Sequence, residues 1–282
     1  MFEIVNKKKL NPTVTLIDVY APLIAKKAKP GQFIILRVSS VGERIPFTIA
    51  STDIEKGLVT VIYQIVGAST KRLDQLNEGD KLEDFIGPLG KPSNLEGLKK
   101  VAIIGGGAGS AIAYPIAKAL HQKGCDVTSI CGFRNKDLVI LEDEFENVSS
   151  RFIKMSDDGS WGNKGLVTDA LEKEILAGNN YDEVFAIGPL IMMKFVCLLT
   201  KKYNIKTTVS MNPIMIDGTG MCGCCRIVVD GKMKFACIDG PDFDGHLVDF
   251  DNAMMRNRMY KEWEKHQYED TCNLLNKEIK DE

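Results

Sequence analysis

Short alternations of apolar and polar residues dominate the first third of the chain. Phe2 to Lys8, Thr13 to Tyr20, Phe33 to Val38, Leu58 to Val66 and Lys81 to Ile86 are such runs, with Gly and Pro punctuating the intervals. A period of two belongs to strands with one buried face, and short strands at this spacing predict a small antiparallel β barrel. The rhythm changes at Lys99. Val101 to Ile104 reads as a buried strand, Gly105 to Gly109 as a turn and Ser110 to Gln122 as a helix; Asp126 to Cys131, Phe152 to Met155, Glu183 to Ile187 and Lys206 to Ser210 continue as strands. Strand and helix in alternation predict a parallel, doubly wound α/β sheet. The boundary between the two patterns falls at residues 95–99. The expected division is a barrel over 1–97, an α/β domain over 98–210, a cysteine-bearing region over 211–245 and a helical C-terminal extension over 246–282. In that extension Phe250, Met254, Met255, Met259 and Trp263 recur near helical spacing. Such a stripe suits a helix folded back on its own domain or a surface for a partner subunit.

A chain of 282 residues exceeds the usual size of one core, which agrees with a composite architecture. With 44% hydrophobic and 26% charged residues and a net charge of -2, it lacks the positive surplus that nucleic acid or an anionic membrane attracts. No apolar run is long enough to cross a bilayer, and Glu3 and Lys7 to Lys9 interrupt the N-terminus where a secretory leader would be apolar. The expected location is cytoplasmic, with no membrane and no nucleic acid among the partners. Cys125, Cys131, Cys197 and Cys272 stand singly in regular elements and are expected to be reduced thiols, two or three of them in the core.

The remaining four cysteines are concentrated. Asp217-Gly-Thr-Gly-Met-Cys222-Gly-Cys224-Cys225, followed by Cys237, has the plant-type iron-sulfur spacing, C-x4-C-x2-C and a distant cysteine, with Asp217 in the first place. Such a loop wraps one side of a 2Fe-2S rhomb while a later strand delivers the last thiolate. Gly218, Gly220 and Gly223 supply positive-φ freedom and bare N–H groups for the wrap. The expected ligands are Asp217, Cys222, Cys225 and Cys237, with Cys224 the substitute if the register moves by one. The same donors also suit a tetrahedral structural zinc. Buried unligated thiols fit less well, because three cysteines in four residues among glycines make a poor apolar core.

Further signals follow individual strands. Gly105-Gly106-Gly107-Ala-Gly109 joins a buried strand to a helix, so its backbone can approach a pyrophosphate at the helix N-terminus; Ser110 stands where the strict G-x-G-x-x-G pattern has its third glycine. Arg134 and Lys136 suit a 2'-phosphate, while Glu142-Asp143-Glu144 suits ribose hydroxyls, which leaves NAD against NADP open. Asp157 and Asp158, and then Gly188-Pro189 with Met192, follow strands at the carboxyl edge where ligands of such sheets collect. Gly67-Ala-Ser69-Thr70 turns into a helix whose N–H groups and hydroxyls can hold phosphate oxygens.

Barrel, nucleotide-binding sheet and iron-sulfur loop in this order resemble the ferredoxin-NADP reductase superfamily, over nearly the whole chain from Gly31-Gln-Phe33 to Cys237-Ile-Asp-Gly-Pro-Asp-Phe243. More closely, the chain resembles the electron-transfer subunits of dihydroorotate dehydrogenase and the small subunits of electron-bifurcating NADH-dependent reduced ferredoxin:NADP oxidoreductases. The resemblance implies FAD at Arg44, Pro46, Phe47 and Thr48, with Tyr63, Gly67, Ser69 and Thr70. It implies NAD(H) or NADP(H) at Gly105, Gly106, Gly107, Gly109, Arg134, Asp157, Asp158, Gly188, Pro189 and Met192. A guanidinium for pyrophosphate, an apolar wall for a ring and a hydroxyl near flavin N5 fit that chemistry. The chain departs from the common pattern at Ile45, where many relatives carry the arginine; a one-residue slip turns a strand side chain to the opposite face. No catalytic acid or base is required for hydride transfer between nicotinamide and flavin. The implied function is electron transfer among NAD(H), FAD and a 2Fe-2S cluster, to a larger flavin and iron-sulfur subunit, with ferredoxin an indirect partner. Asp217 and the long charged tail point to the bifurcating transhydrogenase rather than to dihydroorotate dehydrogenase. A noncatalytic redox sensor or zinc-stapled binding module is the reading of another class.

Overall fold

The computed structural model describes residues 2–40 and 42–278, with side chains as far as Thr271, so the expectation for the Cys272 thiol lies outside the described residues. The first sheet has seven strands: β1 (Phe2–Asn11), β2 (Val14–Tyr20), β3 (Phe33–Arg37), β4 (Arg44–Asp53), β5 (Leu58–Gln64), β6 (Lys81–Leu82) and β7 (Asp84–Leu89). Neighbours are antiparallel in the order β6-β1-β2-β5-β4-β3-β7. β6 and β7 lie at opposite edges of this order, yet only Glu83 separates them in sequence. The sheet must therefore curl until its edges meet, which makes a nearly closed barrel. The expected run from Lys81 to Ile86 is thus two strands. Ile34, Leu36, Ile49, Val59, Val61 and Tyr63 fill the interior. Strand alternation turns Phe33 and Ile35 outward into a different core, shared with the cysteine region. Two short helices, α1 (Pro22–Ala25) and α2 (Ala68–Leu73), sit between barrel strands.

The second sheet takes β8 (Lys100–Gly106), β9 (Asp126–Phe133), β10 (Arg151–Ser156), β11 (Asn163–Lys164), β12 (Glu183–Ile187) and β13 (Thr207–Ser210), all parallel. Its central strands, β8, β9 and β12, are buried on both faces. Val101 and Ile103 of β8 pack with α3 (Ser110–Gln122) and α4 (Glu142–Val148), whereas Ala102 and Ile104 pack with α5 (Val167–Leu176) and α6 (Leu190–Lys202). That division is the doubly wound arrangement expected from near-continuous apolar runs. A hairpin of β14 (Arg226–Val229) and β15 (Lys232–Phe235) leads into the short α7 (Ala236–Asp239), after which β16 (Asp242–Asp244) pairs antiparallel with β13.

The tail forms two helices, α8 (Phe250–Arg256) and α9 (Lys261–Glu278). The Asp249 carboxylate caps α8 by accepting from the Asn252 N–H at 2.9 Å, and Phe250 and Ala253 are buried. α9 lies against α2, with the Lys71 ammonium 5.5 Å from the Tyr268 ring centroid. Among the described residues, no helix is long and apolar enough to cross a membrane.

Candidate functional site

Strand parity decides which side chains of β4 face outward. Ile45 and Phe47 pack against the barrel core with Tyr63, whose ring centroid lies 5.7 Å from that of Phe47. Arg44, Pro46 and Thr48 have the opposite parity, and Pro46 is in register with the outward Ile35. Arg44 and Pro46, with Gly67, Ser69 and Thr70, line a cavity of about 1160 Å³. Phe47, Thr48 and Tyr63 do not reach it. The Tyr63 hydroxyl instead lies 3.4 Å from Asp74 Oδ1, and burial, reinforced by that carboxylate, raises its pKa. Thr70 Oγ1 accepts from the Val66 and Gly67 N–H groups at 3.0 Å each, so this hydroxyl caps its own helix, and Ser69 Oγ donates to Glu43 Oε2 at 2.7 Å.

Several cavity residues were not among the expected cofactor contacts, although Trp263 stood out in the stripe of the C-terminal extension. The segment Met211 to Ile216 after β13 forms one wall, and Trp263 and Tyr268 of α9 form another. Arg37, Arg44, Arg226, Arg256, Lys261 and Lys265 outnumber Glu43 and Glu264 in the lining. This surplus suits a pyrophosphate-bearing ligand. Two signals were available: Arg226 directly follows Cys225, and Arg37 ends β3 opposite Arg44.

The nicotinamide candidates gather at the carboxyl edge of the parallel sheet. From β8 the chain builds β9 and β10 to one side and β12 and β13 to the other, so the strand order reverses between β8 and β12. The glycine turn stands at this switch point. A Cβ on Gly109 would lie 2.5 Å from the Ile187 carbonyl oxygen and 2.6 Å from Gly188 Cα; one on Gly106 would collide with Met192 Sδ and lie 3.0 Å from Pro189 Cδ. Close contact of two turns thus demands these glycines and brings Gly106, Gly109, Gly188, Pro189 and Met192 together. Gly105 packs equally closely on Ser110, while Gly107, at φ +53°, faces open space. Arg134, Asp157 and Asp158 are exposed at the ends of β9 and β10, on the other half of the edge. The Asp158 N–H donates to the Arg134 carbonyl at 3.3 Å, which ties the two loops together. Hydrogen bonds from the Ser160 hydroxyl (2.7 Å) and N–H (2.9 Å) hold the Asp158 carboxyl below the usual carboxylate range.

The cysteine region packs against the barrel's outward face. Gly218, at φ +76°, sits so close to β7 and β3 that a Cβ would lie 2.7 Å from Leu89 Cδ1 and 2.9 Å from Ile35 Cδ1. Cys225 precedes β14 and Cys237 follows β15, so the hairpin returns one to the other; both are buried and their sulfurs are 3.2 Å apart. That separation exceeds a disulfide bond, ~2.05 Å. Burial, with Cys225 alongside, pushes the Cys237 thiol up to about 12. Cys222 is exposed, whereas Cys224 lines the large cavity. The Asp217 carboxylate accepts from the Thr219 N–H at 2.8 Å and the Cys222 N–H at 2.9 Å, and the Thr219 bond is the chief reason its pKa is lowered. Among the described residues, no three His, Cys, Asp or Glu side chains already converge as a closed metal site. The arrangement is a buried thiol pair flanked by a glycine loop that carries two further thiols, Cys222 and Cys224, and one ionised carboxylate. Those donors suit an iron-sulfur cluster.

Comparison with known proteins agrees with this division. Residues 103–198 match the oxidoreductase NAD-binding domain, and residues 212–249 match the iron-sulfur cluster binding domain of dihydroorotate dehydrogenase B. A homolog of the dihydroorotate dehydrogenase B (NAD(+)) electron transfer subunit from Thermotoga maritima is 46% identical over 267 residues, which are 95% of this chain and 94% of that one. The chain belongs to the dihydroorotate dehydrogenase B electron-transfer subunit family. An uncharacterized protein from the adh 3' region of Clostridium beijerinckii is 51% identical over 270 residues, 93% of this chain and 91% of the relative. A chain from the NADH-dependent reduced ferredoxin-NADP oxidoreductase, solved to study flavin-based electron bifurcation, superposes with a TM-score of 0.91 at 45% identity and covers 96% of this subunit and 97% of itself. The subunit is therefore an electron-transfer oxidoreductase component of ferredoxin-reductase fold, with NAD-binding and iron-sulfur-binding domains.

Proposed function

We propose that this electron-transfer subunit moves electrons between NAD(H), FAD and a 2Fe-2S cluster, and that it serves a larger flavin and iron-sulfur subunit in an electron-bifurcating, ferredoxin-dependent transhydrogenase. One observation carries this reading: a single cavity of about 1160 Å³ is bounded by Arg44, Pro46, Gly67 and Ser69 and also by Cys224, the neighbour of Cys225. Bound in that cavity, FAD would supply hydride exchange with the nicotinamide and one-electron exchange with the cluster. The chain itself binds and orients. Arg44 and the cationic lining neutralise the pyrophosphate, while the paired turns at Gly109 and Gly188 leave Gly107 free to meet the nicotinamide nucleotide with bare backbone. Asp217, Cys222, Cys225 and Cys237 would hold the cluster, and Met215 and Ile35 share the buried apolar core of Cys225 and Cys237.

The 45% identity to the oxidoreductase chain across nearly the full length supports the bifurcating assembly but is matched by the 46% identity to the dihydroorotate dehydrogenase B subunit homolog, so the preference rests on aspartate in the first ligand position. The matching cluster domain keeps the dihydroorotate dehydrogenase assembly as the second reading. Purification with the native partner tests both. Flavin, iron and acid-labile sulfide are expected in this chain, with a partner rich in 4Fe-4S clusters. A dihydroorotate dehydrogenase partner would transfer the assignment to the second reading, and a colourless zinc protein would end the redox reading altogether.

A further inference from the structure

Arg256 ends α8, beyond both matched domains, and its guanidinium lies between the cavity and the cysteine loop. Its Nη2 donates to the Cys224 carbonyl across 3.4 Å, while Arg226 Nη1 donates to the Gly223 carbonyl across 2.9 Å. These carbonyls belong to consecutive residues of the three-bond span from Cys222 to Cys225, and both arginines also line the cavity. Among the described residues, neither guanidinium lies within ion-pair distance of a carboxylate.

The support beneath Arg256 is tied to the same hairpin that carries the buried thiols. The Asp249 N–H donates to the Val228 carbonyl of β14 at 2.9 Å, Val248 bridges Val229, and Lys194 of α6 pairs with Asp251 at 2.6 Å. With Phe250 and Ala253 buried beneath it, α8 is fixed to the hairpin and not merely draped over it. A guanidinium held there does two things. It fixes the orientation of the peptide groups between two ligands, and it places a positive charge near any electron added to the flavin or the cluster.

We propose that Arg256 is a positioning residue that holds the cluster loop against the flavin cavity and raises the reduction potentials of both groups. Reduction adds negative charge, which the cation favours, so removing the cation makes both groups harder to reduce. This rests on the FAD and 2Fe-2S assignment above. The tail thereby contributes to redox poise as well as to packing.

The test uses the full-length, cofactor-loaded protein and the variants Arg256→Gln, Arg256→Met and Arg256→Lys, read by EPR-monitored potentiometry for the cluster and by visible potentiometry for the flavin. In the Gln and Met variants the cluster should be about tenfold harder to reduce, a shift of about 59 mV downward for a one-electron couple, with the flavin moving in the same direction. Arg256→Lys should retain most of the wild-type potential. If the contact were only steric, Met would preserve the potentials as well as Lys does. Cluster loss in both neutral variants, with retention in Arg256→Lys, also supports the proposal. Unchanged potentials in Gln and Met, or loss of the cluster in all three variants, overturns it. Absence of flavin and iron from the wild-type protein is a separate result and sinks the cofactor assignment instead.

Discussion

Replacing Asp242 with asparagine should alter how stability depends on pH, in a direction fixed by the site. Asp242 lies on β16 in register with Ser210 of β13, and its Oδ2 accepts from Ser93 Oγ at 2.5 Å, so one carboxylate joins the nucleotide-binding sheet to the segment after the barrel. Its Oδ1 is sealed from solvent, and among the described residues no donor reaches it at ordinary hydrogen-bond geometry. Burial raises the carboxyl to about 6 from an ordinary 3.8; the Ser93 and Ser210 hydroxyls oppose the rise and the Glu183 carboxylate adds to it. The folded state therefore binds this proton more tightly than the unfolded chain does. Its stabilising contribution is complete below about 3.8 and disappears as the pH climbs through about 6. A displacement of roughly two pH units corresponds to about 3 kcal/mol in full, of which ~1.4 kcal/mol falls between pH 5 and pH 8. At ~2 °C per kcal/mol for a long chain, that interval is worth roughly 3 °C in Tm. Scanning calorimetry of wild type and Asp242→Asn, both cofactor-loaded, should find the variant's Tm relative to wild type about 3 °C more favourable at pH 8 than at pH 5. A difference independent of pH, or one that favours the variant at pH 5, refutes the buried-carboxylate argument.

Gly109→Ala would force a Cβ to 2.5 Å from the Ile187 carbonyl, where both neighbours are backbone. Overpacking of this kind costs ~1–3 kcal/mol, so a lower urea midpoint and weaker NAD(H) binding are expected; unchanged values in both would refute the turn-to-turn contact. Asp217→Cys should lower the cluster potential and change its EPR spectrum, because thiolate donates more strongly than carboxylate. If neither changes, Asp217 serves only as the loop cap seen in its bonds to the Thr219 and Cys222 N–H groups. Trp263→Ala removes an aromatic wall of the cavity, and loss of base stacking worth ~1–3 kcal/mol should weaken FAD retention by about fivefold to 150-fold, measured as released flavin fluorescence. Equal retention would place the flavin away from α9.

Much of the fold was legible because its signals are local. The apolar run of β8 marks a strand buried on both faces, and the structure divides its Val101 and Ile103 from Ala102 and Ile104. The barrel was expected from its strand spacing, but the way it closes was not legible, since that depends on Glu83 carrying the chain from one sheet edge to the other, a relation between distant strands. β16 escaped for a different reason: three residues, Asp242 to Asp244, are too few to display a period, and their strand character comes from β13. The tail stripe was visible, but not its break into two helices or the cavity beneath α9, because spacing records which residues are apolar and not what they cover.

At the candidate site, residue type travelled better than residue direction. Arg44, Pro46, Phe47 and Thr48 share one stretch of sequence, but pairing with β3 gives Phe47 to the barrel interior opposite Ile34 and gives Pro46 to the outer face opposite Ile35. The same parity seats the cysteine loop, since Gly218 rests on Ile35 and on Leu89 of β7. A one-residue slip of β3 would bring Ile34 and Leu36 outward, empty the barrel of two large side chains and remove Ile35 from beneath the loop. Barrel stability and the placement of the cysteine loop beside the cavity therefore depend on one register. This explains why the loop can carry its chemistry on an exposed turn: the precision comes from a five-residue strand whose alternate side chains are fully buried on either side.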